Sequence, residues 1–472
     1  MGLQIALSTA RNALLATSSQ IAVASRNVSG AGDAGYSRKI ATLVTGSGTA
    51  QVVITRAGDQ ALFNRKLSAT SDEAASAARL DGFKNLAQTV GDTADVTSPA
   101  ARLGALNAAL QAAANQPDSS DLARTAIDAA SDLAASLNGA AAAVKTVRMD
   151  ADAAISTSVA TINDLLAKFD AANGAVVRGT ALGTDITDTL DDRDRILTQL
   201  SAEIGITTAL RPDGGMAVYT DSGATLYERG PRAVTFSPST GLGSGATGNA
   251  VLVDGVAVTG ANAPMPLRSG RIAGLTTLRD GAAREYGRQL DAVATGLVDA
   301  FSETDPTTTP PSTVPGLFTG GSAAAIGVAA RVDPKQGGAV TRLRDGGIAS
   351  AATVANVAGE AAYSGRLTAL VASLGAARPL GGGTDLSGSA TLAAFTAASA
   401  GWLSQQRKDA DSDATYQSTL LSRATDALSN VAGVNGDDET ALTLQLEHSY
   451  TASAKLLTVV DGLLKTLMDA VR

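Results

Sequence analysis

Leu3, Leu7, Ala10, Leu14, Thr17, Ile21, Ala24 and Val28 follow one another at alternating spacings of four and three, an unbroken heptad seam. The far end repeats the rhythm through Leu442, Leu446, Ser449, Ser453, Leu456, Val460, Leu463, Leu467 and Ala470. A helix with a bare apolar seam needs a partner. The expectation is that the two ends pair and that several pairs then pack together. Beside the C-terminal seam, Leu457, Leu464 and Val471 form a second stripe. A helix apolar on two faces meets more than one neighbour, which suits multi-chain packing.

Charge supports the pairing. Residues 1–58 carry Arg11, Arg26, Arg38, Lys39 and Arg56 against Asp33, a net +4. Residues 437–472 carry Asp437, Asp438, Glu439, Glu447, Asp461 and Asp469 against Lys455, Lys465 and Arg472, a net −3. The whole chain is at −8 with a pI near 4.9, so a nucleic-acid backbone is repelled on average. Its 472 residues exceed one simple core, and two to four domains are expected. Aromatics make up only 3% and there is one His, a poor endowment for an enzyme pocket. No cysteine is present, so there is no disulfide framework. No run of about 18 apolar residues exists to span a bilayer. The N-terminus lacks the features of a cleaved secretory signal.

Between the ends the pattern changes several times. After Val28 three glycines and Asp33 stop the helix, and order restarts at Gly35-Tyr36-Ser37-Arg38. Residues 40–58 read as two short strands about Gly46-Ser47-Gly48. Residues 60–204 read as helical, broken at Asn115-Gln116-Pro117 and capped again by Asp118-Ser119-Ser120-Asp121. Residues 204–266 alternate and carry turn signals, the clearest being Asp254-Gly255 between VLV and VAV. Helix resumes at Gly270. Residues 304–316 read as an exposed Pro/Thr loop and 375–390 as a Gly-rich one, before helix returns from 391. The fold expected is mainly α with a β insert: elongated, nested and multidomain. Its parts are a terminal-helix coiled-coil domain (1–35 plus 437–472), a helical body (36–203 plus 269–436) and a small all-β insert (204–268).

Four motifs invite chemistry, and each has a plainer reading. Gly243, Gly245 and Gly248 match the dinucleotide fingerprint by letter, but a strand-like segment follows where a helix is needed, so a loop is expected. Asp409, Asp411 and Asp413 suggest a calcium loop, yet Ala414 replaces the turn glycine and Leu420 the twelfth-position Glu, leaving a solvated helix face. Asp191, Asp192, Arg193, Asp194 and Arg195 read as an exposed helix face laced with ion pairs. His448 has no triad or zinc companions in the pattern and reads as a helix contact. No catalytic, cofactor or metal residues are expected.

The end segments carry a resemblance. RNVSGAGDAGYSRK is similar to the Asn-Ile-Ser…Gly-Tyr-Ser/Thr-Arg segment of bacterial flagellar axial proteins at Asn27, Gly35, Tyr36, Ser37 and Arg38. The final segment matches that group's ending at Gly433, Val434, Asn435, Asp437, Glu439, Leu444, Gln445, Tyr450, Ala452 and Ala454. In the interior NQPDSSDLARTAIDAASDLAASLN, DTLDDRDRILTQLSAEIGI and RSGRIAGLTTLRD resemble the hook-associated protein 1 family, the first hook–filament junction proteins.

That resemblance implies a non-catalytic structural adaptor that polymerises on the distal end of the flagellar hook. It implies self-assembly into a ring-like layer, hook protein below, the second junction protein above, and an export chaperone on the C-terminal helix. It also implies an extracellular place at the hook–filament junction, reached through type III export without a cleaved signal peptide. The expected assembly interface is Leu3, Leu7, Leu14, Ile21, Val28, Leu442, Leu446, Tyr450, Leu456, Leu457, Val460, Leu463, Leu464 and Leu467. The expected domain joint is Asn27, Gly35, Tyr36, Ser37 and Arg38. Within the same class the alternatives are the second junction protein or a hook protein. The alternative in another class is a soluble hydrolase with amphipathic ends, which should show a convergent polar constellation. The termini are further expected to stay unpaired in the free monomer and to fold when neighbours bury their seams.

Overall fold

The computed structural model describes residues 2–46, 49–90 and 95–470. Helix α1 (Gly2–Gly30) leads through a turn into an antiparallel hairpin of β1 (Lys39–Gly46) and β2 (Thr49–Arg56). The expected turn residues Ser47 and Gly48 lie outside the described residues. Four helices follow: α2 (Gln60–Val90), α3 (Pro99–Asn115), α4 (Ser120–Leu182) and α5 (Thr187–Glu203). Ser119 caps α4 by accepting from the Leu122 N–H at 3.3 Å, and Gly183 ends it in the left-handed conformation at φ 65°. At 63 residues, α4 is about 95 Å long and forms the spine of the body.

The expected β insert is two small sheets laid on that spine. One has the order β3 (Ile206–Leu210), β4 (Met216–Thr220), β5 (Thr225–Tyr227), and the other β6 (Val234–Thr235), β7 (Leu252–Val253), β8 (Val256–Ala257). Asp254 and Gly255 take φ 50° and 81° between β7 and β8, the two-residue turn the sequence indicates. The first sheet is fastened by Tyr227, whose hydroxyl donates to Asp170 at 2.7 Å and whose ring meets Phe169 edge-on at 4.9 Å. Ile206, Val218, Leu226, Val234 and Val253 join the same apolar cluster as the α4 residues Ile155, Ile162 and Phe169. The insert therefore shares the body's core.

The chain returns through α6 (Arg271–Thr276), one π-helical turn (Thr277–Ala282) and α7 (Ala283–Ala300). A Cβ on Gly274 would stand 2.2 Å from the Ala75 carbonyl oxygen, so only glycine lets α6 cross α2 this closely. The two expected loops are hairpins: β9 (Glu303–Asp305) with β10 (Ser312–Val314), and β13 (Arg378–Leu380) with β14 (Gly388–Ala390). Between them lie β11 (Phe318–Thr319), β12 (Gly327–Val328), the short α8 (Arg342–Asp345) and α9 (Gly365–Gly375). Finally α10 (Leu392–Ala432) packs along α2, and α11 (Gly436–Ala470) packs along α1.

The nesting is thus first helix on last, and second long segment on second to last. The contiguous apolar core runs from Phe63 to Ala410, with Leu106, Leu110, Ile127 and Leu133 fully buried. Burying each such side chain contributes about 1.5–3 kcal/mol. Among the described residues, the core includes none from α1, the β1–β2 hairpin or α11. No helix among the described residues is long and apolar enough to cross a membrane.

Candidate functional site: the joint and the terminal helix pair

Asn27 closes the last turns of α1 and is almost fully buried. Its amide uses every hydrogen-bonding position it has. Nδ2 donates to the Lys39 carbonyl at 2.8 Å and to Glu439 Oε2 at 3.1 Å; Oδ1 accepts from the Lys39 N–H at 2.9 Å and the Tyr36 hydroxyl at 3.0 Å. One side chain thereby ties α1, β1 and α11. Arg38 adds a second tie, its Nε on Glu439 Oε1 at 2.6 Å and its N–H on the Ala432 carbonyl at 2.7 Å. The Tyr36 ring lies against Gly30, where a Cβ would come within 2.7 Å of it. Burial pushes the Tyr36 hydroxyl up to about 12, against the opposing pull of Arg26, so it stays a donor. Gly35 donates its N–H to Asp33 and faces the Arg195 guanidinium, and Ser37 is half-buried beside it. The five joint residues expected from the sequence thus lie together in one segment.

Around this hub runs a belt of ion pairs that sequence reasoning missed. Arg26 reaches Asp185 at 3.2 Å and Asp188 at 3.7 Å; Lys39 pairs with Asp188 and stands 3.6 Å from Asp191. Arg56 holds Asp191 at 2.9 Å and Asp194 at 2.5 Å, and Asp33 holds Arg195 at 3.0 Å. Far from forming an exposed face, Asp191 and Arg193 are buried: Asp191 receives Arg56 and Lys39 of the terminal unit, whereas Arg193 turns the other way and donates to the Gly214 carbonyl at 2.9 Å. Burial raises the Asp194 carboxyl despite Arg56, and lowers the Lys39 ammonium despite Asp191. At Asp185 burial is outweighed by hydrogen bonds from Thr187 and Arg26, so its carboxyl is held below the usual range. The available signals were the excess of basic residues in 1–58 and the alternating signs of 191–195; only the fold shows that they meet.

In the helix pair the buried line on α1 is Ala10, Thr17, Ala24 and Asn27, flanked by Ala16 and Val23. Leu7, Leu14 and Ile21 are half-buried at its edge, and Val28 is 43% exposed because Asn27 turns inward instead. On α11 Val460 is buried and Leu442, Leu446, Leu457 and Leu464 are half-buried. Leu456, Leu463 and Tyr450 point outward. The doublets Leu456-Leu457 and Leu463-Leu464 offer two equivalent seams, and the contact takes the second member of each. The side chains of Leu3 and Leu467, and all of Val471, lie outside the described residues. In the structure the two ends pack along each other, as the heptad seams predict.

The other motifs resolve as structure. The loop carrying Gly243, Gly245 and Gly248 presents carbonyls to a fully buried Arg148: Leu242 at 3.2 Å, Gly243 at 2.7 Å and Ala246 at 2.6 Å. A cradle of carbonyls around a cation has the opposite polarity to a phosphate site. Asp409, Asp411 and Asp413 lie on α10, where Asp413 pairs with Arg79 at 2.5 Å. His448 is exposed on α11 and is not the helix contact expected. Among the described residues no group of three His, Cys, Asp or Glu is placed to hold a metal ion.

A long helical body with its two chain ends paired beside it, joined through polar contacts, defines a scaffold-type architecture. Residues 83–307 match the sequence model of the flagellar hook-associated protein FlgK helical domain. Among solved structures it is similar to the flagellar hook junction protein FlgK from Burkholderia pseudomallei, at 18% identity and a TM-score of 0.44. That match spans 54% of this chain and 46% of the other. No curated protein sequence shows significant similarity to the chain.

Proposed function

We propose that the chain is a non-catalytic structural adaptor of the bacterial flagellum that polymerises at the distal end of the hook and joins hook to filament. The hook-associated helical domain supports the class. The observation that carries the assembly role is the uncovered apolar surface of the terminal pair. Leu456, Val459 and Leu463 stand on one face of α11 at spacings of three and four, each more than half exposed, with Leu444 and Met468 along the same helix. Ile5 and Leu15 are equally bare on α1. Its own chain covers only a thin line of small residues, so neighbouring subunits are the natural cover for the rest.

In this reading each subunit contributes one α1–α11 pair to a ring-like layer, with hook protein below and the second junction protein above. The chaperone that escorts it holds the same bare face of α11 before export. The subunit travels through the type III apparatus with its N-terminal helix in place and works outside the cell. Deleting residues 443–472 in the source bacterium tests the role. Hooks without filaments, and flagellin lost to the medium, are expected; normal filaments would refute the assignment.

A further inference from the structure

We propose that, in the assembled layer, the open edge of β2 in one subunit pairs with the outer edge of β1 in the next copy, so that neighbouring hairpins join into a shared sheet. Lys39 fixes which backbone groups face outward. Its N–H and its carbonyl both bond to the Asn27 amide, away from β2, so Lys39 and Arg56 form a pair of the non-hydrogen-bonded kind. By the alternation of the ladder, Ala41 and Leu43 on β1, and Val52 and Ile54 on β2, also turn their N–H and carbonyl groups outward. On β1 the Ala41 carbonyl takes Gln20 Nε2 at 3.4 Å, which leaves Leu43 open. On β2 neither Val52 nor Ile54 finds a partner for these groups among the described residues, and no third strand joins the sheet there.

Strand edges of this kind are normally blunted by charge, proline or a bulge. Residues 40–55 contain no charged residue and no proline. The ladder also keeps one register from Lys39 with Arg56 to Gly46 with Thr49. Ile40, Val44 and Val53 share one face, each more than a third exposed, so the hairpin is bare on that side too. The occupant that fits is a second copy. Two uncharged hairpins meet without repulsion, and each carries both of the edges that the contact needs. Copies in a polar layer all point the same way, and hairpins so arranged extend a sheet in the order β1-β2, β1-β2, with every neighbour antiparallel. Pairing of β2 with β2 would instead need a two-fold axis, which a layer between hook and filament lacks. The hairpin packs on α1, whose Ile5 and Leu15 are bare, so one neighbour reaches both. The contact belongs to the assembled layer, requires no order of these strands in the free chain, and rests on the adaptor reading.

The chain has no cysteine, so single ones report cleanly. Leu43→Cys and Val52→Cys are carried on separate copies, because within one chain these residues stand opposite each other in the ladder. Both are expressed in the source bacterium beside the unaltered chain, which sustains assembly, and intact flagella are treated with a short bis-maleimide. Opposed residues of a hydrogen-bonded strand pair have Cα atoms about 5.5 Å apart, within its reach. Dimers linking position 43 of one copy to position 52 of another are expected from the mixture, identified by mass spectrometry of the linked peptides. Either variant without the other should give none. Flagella that carry both variants and yield no such dimer overturn the shared sheet and leave the adaptor reading standing. Dimers from Val52→Cys alone overturn it as well, because they bring two β2 edges together. A chain absent from flagella defeats the adaptor reading and this inference with it.

Discussion

At the scale of single residues, buried polar groups decide where parts of this chain attach. Arg279 is brought inward by the π-helical turn and is almost fully buried, its Nη1 on Asp152 at 2.5 Å and its Nη2 on the Asn249 carbonyl at 3.0 Å. Asp152 in turn accepts from Ser239, at 2.7 Å from the N–H and 3.0 Å from the hydroxyl. This cluster fastens the second small sheet to α4. Arg279→Met is expected to destabilise the body by about 3–5 kcal/mol in urea unfolding, because it strands a buried carboxylate. Arg232→Met, at an exposed pair, should cost about 0–1 kcal/mol. Equal effects from the two would remove the special weight given to the buried cluster. The letters RSGRIAGLTTLRD contained Arg279, but nothing in their spacing announced Asp152, which lies 127 residues earlier.

At the scale of elements, periodicity told helix from strand well and boundaries less well. The break between α2 and α3 was missed although Thr97-Ser98-Pro99 carries it: Ser98 Oγ accepts from the Ala101 N–H and Pro99 opens the helix. Alanine on both sides let the apolar rhythm read through. The Gly-rich stretch 375–390 closes into a hairpin because β13 and β14 find each other, and glycines alone read as loop. In the terminal pair the heptads placed Ala10, Thr17 and Ala24 on the inner line, and the leucine doublets left the face of α11 undecided. That choice has a consequence. Val460→Asp puts a charge into the α1–α11 contact and should lower the helical content of the purified chain. Leu456→Asp with Leu463→Asp, on the outward face, should leave helical content unchanged and abolish filament growth in cells. Loss of helix in the outward variant, or normal filaments from it, would contradict the division of α11 into an inner and an outer face.

At the scale of the whole molecule, the nested order was legible because both halves of the chain change pattern in mirrored sequence. The hydrogen bonds of Asn27 with Tyr36, Lys39 and Glu439 and of Arg38 with Glu439, and the ionic counterpart on α5, follow from the fold and have no signal in the spacing. Charges far apart in sequence reveal their partners only once the body positions them. The resulting division is physical: a body with a deep apolar core, and a terminal unit held by polar contacts and bare on its outer side. The central claim is that neighbouring subunits cover that bare side. A photo-activated benzophenone carried on Val459→Cys, 62% exposed in the single chain, tests it in intact flagella. Covalent dimers and higher multimers of this chain are expected there, and none from the same probe on Lys145→Cys. A Val459 probe that links only to its own subunit would contradict the account.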